Sequence, residues 1–201
     1  YTVLYEHLKH LGFSDYEMLE AQVCRRGERG MYDIFRNRVM FPIISEKGSV
    51  IGFGGRVLDD SKPKYLNTPQ TKVFDKGRNC FSYNFAKDSS SRTMILAEGY
   101  MDVIAMNQAG FDNVVATLGT ALTSEQAKLI AKHSDRVVIS YDGDEAGQKA
   151  ARRAINILSE VGLKTAVLKI EGAKDPDEFI KKYGAERFRR IVNNAGDALE
   201  F

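Results

Sequence analysis

From Thr93 onward, short apolar runs alternate with stretches of helical spacing, and this constrains the fold more than any other feature. Met94-Ile95-Leu96-Ala97 reads as a buried strand that ends at Glu98-Gly99. Met101, Ile104 and Ala105 are spaced for a helix over 101–109, stopped by Gly110. A second strand over 114–118 breaks at Gly119, and Thr123 or Ser124 can cap a helix running to about 134. A third strand, 137–141, runs into Asp142-Gly143-Asp144 and is followed by a helix over 145–161. The fourth strand is 165–170, and Asp175 opens a helix toward Tyr183. Such alternation predicts an α/β fold with right-handed crossovers and a mostly parallel sheet flanked by helices. Ligands of open α/β sheets gather outside the carboxyl ends of the strands. Glu98, Asp142 and the Asp175 pair therefore belong to one edge.

The first ninety residues read differently. Two short helical stretches, 3–11 and 14–22, precede an antiparallel hairpin of strands 34–44 and 50–58 that turns at Glu46-Lys47-Gly48. An irregular segment with Lys64, Asn67, Pro69 and Lys76 follows, and the serine-rich 87–92 reads as a linker. We therefore expect a smaller α+β basic subdomain over 1–91 and a parallel-sheet domain with following helices over 92–201. From Arg25 to Lys87 there are 13 Lys/Arg against 6 Asp/Glu, a local balance of +7 hidden within a net charge of +2. A basic stretch and an acidic sheet edge in one chain suit a polyanionic substrate, although an ordinary solvated surface explains the charge equally well.

Each acidic motif has two readings. Asp-Gly is common turn chemistry, and an aspartate there can cap the next helix. Two carboxylates one glycine apart after an apolar strand also repel unless a cation relieves them. Asp175-Pro176-Asp177-Glu178 is a good helix start whether or not it holds metal. Glu98 can be a solvated strand exit, a metal ligand or a proton-transfer group, with Asp102 supporting it from the first helical turn. An all-oxygen donor set of this kind suits Mg²⁺ or another hard divalent cation. Gly52-Phe53-Gly54-Gly55-Arg56 matches neither a phosphate loop nor a dinucleotide fingerprint. We read its glycines as admitting a backbone or a nucleic acid, with Arg56 projecting. Arg36 and Arg38 alternate along the predicted strand and so share a face.

Other chemistries find no residues. His7, His10 and His133 lack metal spacing, and no nucleophilic triad can be assembled. Cys24 and Cys80 give neither a zinc site nor a disulfide framework, which fits a reduced cytoplasmic setting. No apolar run approaches the roughly 18 residues that span a membrane, so no membrane partner is expected. Tyr1 at the start, in place of Met, leads us to expect a portion of a longer protein.

Glu98-Gly99, Asp142-Gly143-Asp144 and Asp175-Pro176-Asp177, each after a strand, resemble the Toprim fold of primases, topoisomerases and some nucleases. Phe35-Arg36-Asn37-Arg38-Val39-Met40-Phe41-Pro42-Ile43, Gly52-Phe53-Gly54-Gly55-Arg56 and Lys64-Tyr65-Leu66-Asn67-Thr68-Pro69 narrow the resemblance to the RNA polymerase core of DnaG-type bacterial primases. The likeness runs over nearly the whole chain. It implies primer synthesis from NTPs on single-stranded DNA at the replication fork, with an RNA primer as product. It implies Mg²⁺ or Mn²⁺ held by Glu98, Asp142, Asp144, Asp175 and Asp177, with Glu98 and Asp142 catalytic and Asp102 supporting. Arg56, Lys64 and Lys76, with Asn67, would match the ridge that handles template and nucleotide phosphates, and Arg36 and Arg38 add to it. Such primases carry a zinc domain and a helicase-docking domain, and neither is found in these residues, so the replicative helicase is expected only through a domain absent here. A non-catalytic nucleic-acid or nucleotide-binding Toprim module, or a Toprim-type metal-dependent nuclease, is the alternative.

Overall fold

The computed structural model describes residues 1–196. The contacts divide the chain into two compact units, Tyr1–Asp75 and a second that begins at Lys76.

In the first unit, helices α1 (Val3–His10) and α2 (Asp15–Glu20) precede a small hairpin of β1 (Cys24–Gly27) and β2 (Gly30–Asp33). Ser14 caps α2 by accepting from the Glu17 N–H, while the Glu17 carboxylate accepts from the Ser14 N–H, a reciprocal box written into Ser-Asp-Tyr-Glu. The buried Asp33 carboxylate in turn accepts from the Leu4 and Tyr5 amides, tying the start of α1 to this hairpin. A three-stranded antiparallel sheet of β3 (Arg38–Ile44), β4 (Val50–Val57) and β5 (Tyr65–Asn67) follows in the order β3-β4-β5.

The structure corrects the sequence reading of this sheet at three points. Strand β3 begins at Arg38 and not at 34, because Asn37 sits at φ +50°, which breaks the extended run. Arg36 therefore lies outside the strand, and the shared face predicted for Arg36 and Arg38 does not exist. The segment read as irregular holds β5, in register with β4 through Gly54–Asn67 and Arg56–Tyr65. Gly52 and Gly55 of β4 make room for neighbouring side chains. A Cβ at Gly55 would lie 2.9 Å from both Phe35 and Arg38, and one at Gly52 would lie 3.1 Å from the Phe74 ring.

The second unit opens with the short helix α3 (Tyr83–Ala86) and then alternates as expected: β6 (Thr93–Ala97), α4 (Tyr100–Gln108), β7 (Val114–Ala116), α5 (Ser124–Ala131), β8 (Arg136–Ser140), α6 (Glu145–Glu160), β9 (Lys164–Val167), α7 (Pro176–Tyr183) and α8 (Ala185–Asn193). The four strands are all parallel, in the order β7-β6-β8-β9. Strand β9 is shorter than the predicted 165–170, and α8 is a helix of the kind expected after the sheet, for which the sequence reading gave no bounds. Successive strand residues supply opposite faces. Met94, Leu96, Val137 and Ile139 pack with α3, α5 and α6, whereas Ile95, Ala97, Val138 and Ala166 pack with α4, α7 and α8. Both faces are thus covered, which is why these strands read as unbroken apolar runs.

The chain starts at β6, steps to β7, then crosses to β8 on the other side of β6. The β6–β8 junction is therefore the switch point where neighbouring exit loops turn to opposite faces. Glu98 follows β6, and Asp142 lies just past β8. Among the described residues, no helix is long and apolar enough to cross a membrane.

Candidate functional site

Local sequence chemistry places the carboxylates. Strand β6 is apolar and buried from Met94 to Ala97, so Glu98 is the first residue after that run free to face solvent. Its carboxylate accepts from the Asp142 backbone N–H at 3.1 Å, linking the two exit loops across the switch point. Asp144 is the cap of α6, accepting from the Gly147 N–H at 2.7 Å. Gly147 is required here: a Cβ would lie 2.1 Å from the carbonyl oxygen of Asp142. The first turn of α6 therefore packs directly on the Asp142 backbone. Asp175 caps α7 by accepting from the Glu178 N–H at 2.8 Å, with Pro176 at the first helical position. The Glu178 side chain accepts from Lys174 N–H, one residue before the position a full capping box would use.

The charges share one field. Burial pushes the Asp102 carboxyl up to about 6, reinforced by the negative charges of Asp142, Asp175 and Glu98 and opposed by a hydrogen bond from the Gly99 backbone. Burial raises Asp142 as well, with Glu98, Asp144 and Asp175 adding to it and Lys174 opposing it. The structure thus brings together Glu98, Asp102, Asp142, Asp144 and Asp175. Asp177 stands apart from these influences, paired with Lys181 at 2.6 Å along α7. A cavity of about 550 Å³ runs beside the cluster, bounded by Asp142, Asp144, Gln148, Lys174 and Asp175.

The donor set is oxygen only, which suits a hard divalent cation, and the raised carboxyls mark negative charge that such an ion would relieve. Among the described residues, no three His, Cys, Asp or Glu side chains are gathered into a ready-made metal cage. That fits a Mg²⁺-type site, which takes one or two carboxylates and fills its remaining positions with water and substrate phosphate. Sequence reasoning missed Lys174. Lys174 adjoins Asp175 in sequence and was readable; the need for glycine at 147 depends on a tertiary contact.

The predicted basic residues have different surroundings. Arg38 donates to the carbonyls of Gly55, Pro63 and Lys64 at 3.2, 2.8 and 3.3 Å, so its guanidinium clamps the chain that leads into β5. Lys64 is thereby held by its backbone while its side chain is exposed. Arg36 lies over the rings of Tyr1 and Tyr32, 5.0 and 5.4 Å from their centres. Arg56 approaches the Tyr65 ring at 5.9 Å, and its buried Nε has no hydrogen-bond partner. Asn67 is half-buried on β5 beside Gly54. Lys76 belongs by its contacts to the second unit, where the buried Gln126 amide donates to its carbonyl at 2.9 Å.

A doubly wound sheet with a glutamate and paired aspartates at its switch point defines a Toprim-type domain. Residues 95–180 match the Toprim-like family, and residues 1–87 match the family described as DNA primase catalytic core, N-terminal domain. The DNA primase of Clostridium acetobutylicum is 51% identical over 199 residues, which is 98% of this chain and 33% of that protein. The crystal structure of the Aquifex aeolicus primase, with zinc-binding and RNA polymerase domains, superimposes with a TM-score of 0.89 at 41% identity, over 96% of this chain and 49% of that one. A DnaG primase catalytic domain bound to single-stranded DNA gives 0.86 at 36% identity, over 94% of this chain and 64% of that one. The chain belongs to the DnaG-type bacterial DNA primase family and corresponds to part of its catalytic core. It spans about a third of the length of the curated relatives it matches.

Proposed function

We propose that this chain is the nucleotidyl-transferring part of a primase, a DNA-directed RNA polymerase that joins NTPs into short RNA primers on single-stranded DNA during replication. The observation that carries the reading is the acidic switch point, where Glu98 holds the Asp142 amide and Asp102, Asp144 and Asp175 share the field. Glu98, Asp142, Asp144, Asp175 and Asp177 would hold Mg²⁺ or Mn²⁺, which when bound activates a 3′-hydroxyl and neutralises departing pyrophosphate. In that role Asp177 would have to leave Lys181. The chain's own contribution is positioning. Glu98 and Gly147 fix the Asp142 backbone from two sides, and each cap uses one carboxylate oxygen, which leaves the second oxygen of Asp144 for a ligand and that of Asp175 facing the Lys174 ammonium at 3.9 Å.

The basic residues divide their work. Arg56, Lys64 and Lys76, with Asn67, would contact template and nucleotide phosphates, and Arg36 would add to them from its aromatic seat. Arg38 would act through Lys64 by holding its backbone. In functional terms, 1–91 would supply the cations and 92–201 the carboxylates. A cytoplasmic location and a replicative helicase as partner of the whole protein follow from this reading.

The test is incorporation of labelled ribonucleotides on single-stranded DNA, with Mn²⁺ or Mg²⁺, by the whole primase and its Asp142→Ala variant. We expect metal-dependent RNA products from the parent and none from a variant whose circular dichroism is native. Near-parental synthesis by the variant would sink the reading, and cleaved template in place of RNA would assign the site to a nuclease.

A further inference from the structure

A second cavity, about 460 Å³, lies on the α5–α6 face of the sheet, with Glu98 at its rim. It falls within the size range of small-molecule sites. Thr117 and Thr120 reach it from the exit of β7, Lys149 and Arg153 from α6, and Leu122 and Ala150 give it an apolar lining. Lys149 and Arg153 are four residues apart and so lie on one face of α6, where like charges repel. Neither has an ion-pair or hydrogen-bond partner among the described residues. Thr117 is only 6% exposed, yet its hydroxyl makes no hydrogen bond among the described residues. Its oxygen keeps some exposure, so the hydroxyl opens on the cavity with its hydrogen-bonding capacity unused. Paired cations, an unpaired hydroxyl and an open cavity between them are what a bound anion would satisfy. Glu98, the one carboxylate in the lining, accepts from the Asp142 amide.

We propose that this cavity is a second nucleotide site that takes a 5′-triphosphate, carried either by a free nucleoside triphosphate or by the first residue of the RNA being made. Lys149 and Arg153 meet the phosphates, Thr117 and Thr120 donate to their oxygens, and Leu122 and Ala150 accommodate the apolar body. Two cations and two hydroxyls gathered in one cavity match the clustered charge of a triphosphate better than the spread phosphates of a strand. The choice of nucleotide over other phosphates rests on the nucleotidyl-transfer reading above.

The experiment is equilibrium binding of fluorescent ATP to the whole primase in EDTA, where the acidic edge repels phosphate. Parallel titrations use a short RNA bearing either a 5′-triphosphate or a 5′-hydroxyl. Lys149→Ala/Arg153→Ala should weaken ATP binding at least tenfold, Thr117→Val severalfold, and Lys149→Arg little. Loss for ATP alone assigns the site to the free nucleotide. Loss that extends to 5′-triphosphate RNA, but not to 5′-hydroxyl RNA, assigns it to the RNA end. Unchanged ATP affinity in a natively folded double variant, with Thr117→Val also silent, overturns the proposal. Binding that depends on Lys149 in a protein that makes no RNA would leave this site standing and remove the polymerase reading. RNA synthesis lost in Asp142→Ala, with ATP binding indifferent to Lys149 and Arg153, would do the reverse.

Discussion

Asp102 is the residue on which burial and charge act most openly. Its carboxyl is held near 6 by burial and by three neighbouring carboxylates, against about 3.9 in an unfolded chain. A group that binds its proton more tightly when folded favours the fold at low pH, so stability falls as pH rises from near 4 through about 6. Asp102→Asn keeps an acceptor for the Gly99 amide without the charge. In metal-free buffer its melting temperature should exceed the parent's above pH 6 and converge with it near pH 4. A gap that is constant with pH, or that opens on the acid side, would show that the field is not acting on this group. Asp102 was readable only as a support for Glu98, because its burial comes from the packing of α4 on the sheet. Arg38 shows the same limit: its three carbonyl partners lie 17 to 26 residues away in sequence, and no local pattern announces them.

At the scale of elements, two helix starts serve both structure and site. Asp144 and Asp175 each accept from the amide three residues on, as their sequences suggest, and each also contributes charge to the acidic edge. The two duties separate by substitution. Asp175→Ala removes cap and charge and should destabilise by about 1 kcal/mol in urea unfolding, whereas Asp175→Asn keeps the cap and should stay within a few tenths. Both variants should lose RNA synthesis. Full activity in Asp175→Asn would reduce Asp175 to a cap. Element types were legible wherever a periodic apolar pattern ran long enough, as in β6, β8 and α6. Strand β5 has three residues and α3 four, too short for a period to show.

For the molecule as a whole, clustered carboxylates that share one exposed counter-charge, Lys174, make stability depend on cations. A divalent ion that binds only the folded state stabilises it by mass action, about 2.7 kcal/mol at a hundred times its dissociation constant. Thermal melts should therefore shift upward with millimolar Mg²⁺ or Mn²⁺ and return with EDTA. Asp142→Ala should abolish most of that shift, and an equal shift in the variant would place the bound cation elsewhere. This dependence follows from the doubly wound topology, which sets β6 beside β8 although α4, β7 and α5 intervene in the chain.

What the sequence determined by itself is the alternation of strands and helices in the second unit, and with it the placing of Glu98, Asp142 and Asp175 at strand exits. That information is local, since apolar period and helix-start chemistry are written within about ten residues of each feature. The primase-type motifs were legible for the same reason. Only the tertiary structure decided that Asp177 pairs with Lys181 while Asp102 joins the cluster, and that Arg38 holds backbone carbonyls. It alone left Lys149 and Arg153 facing a cavity without a partner among the described residues. Each of those outcomes depends on which distant segments pack together, and burial, close approach and the absence of a counter-charge exist only once they have.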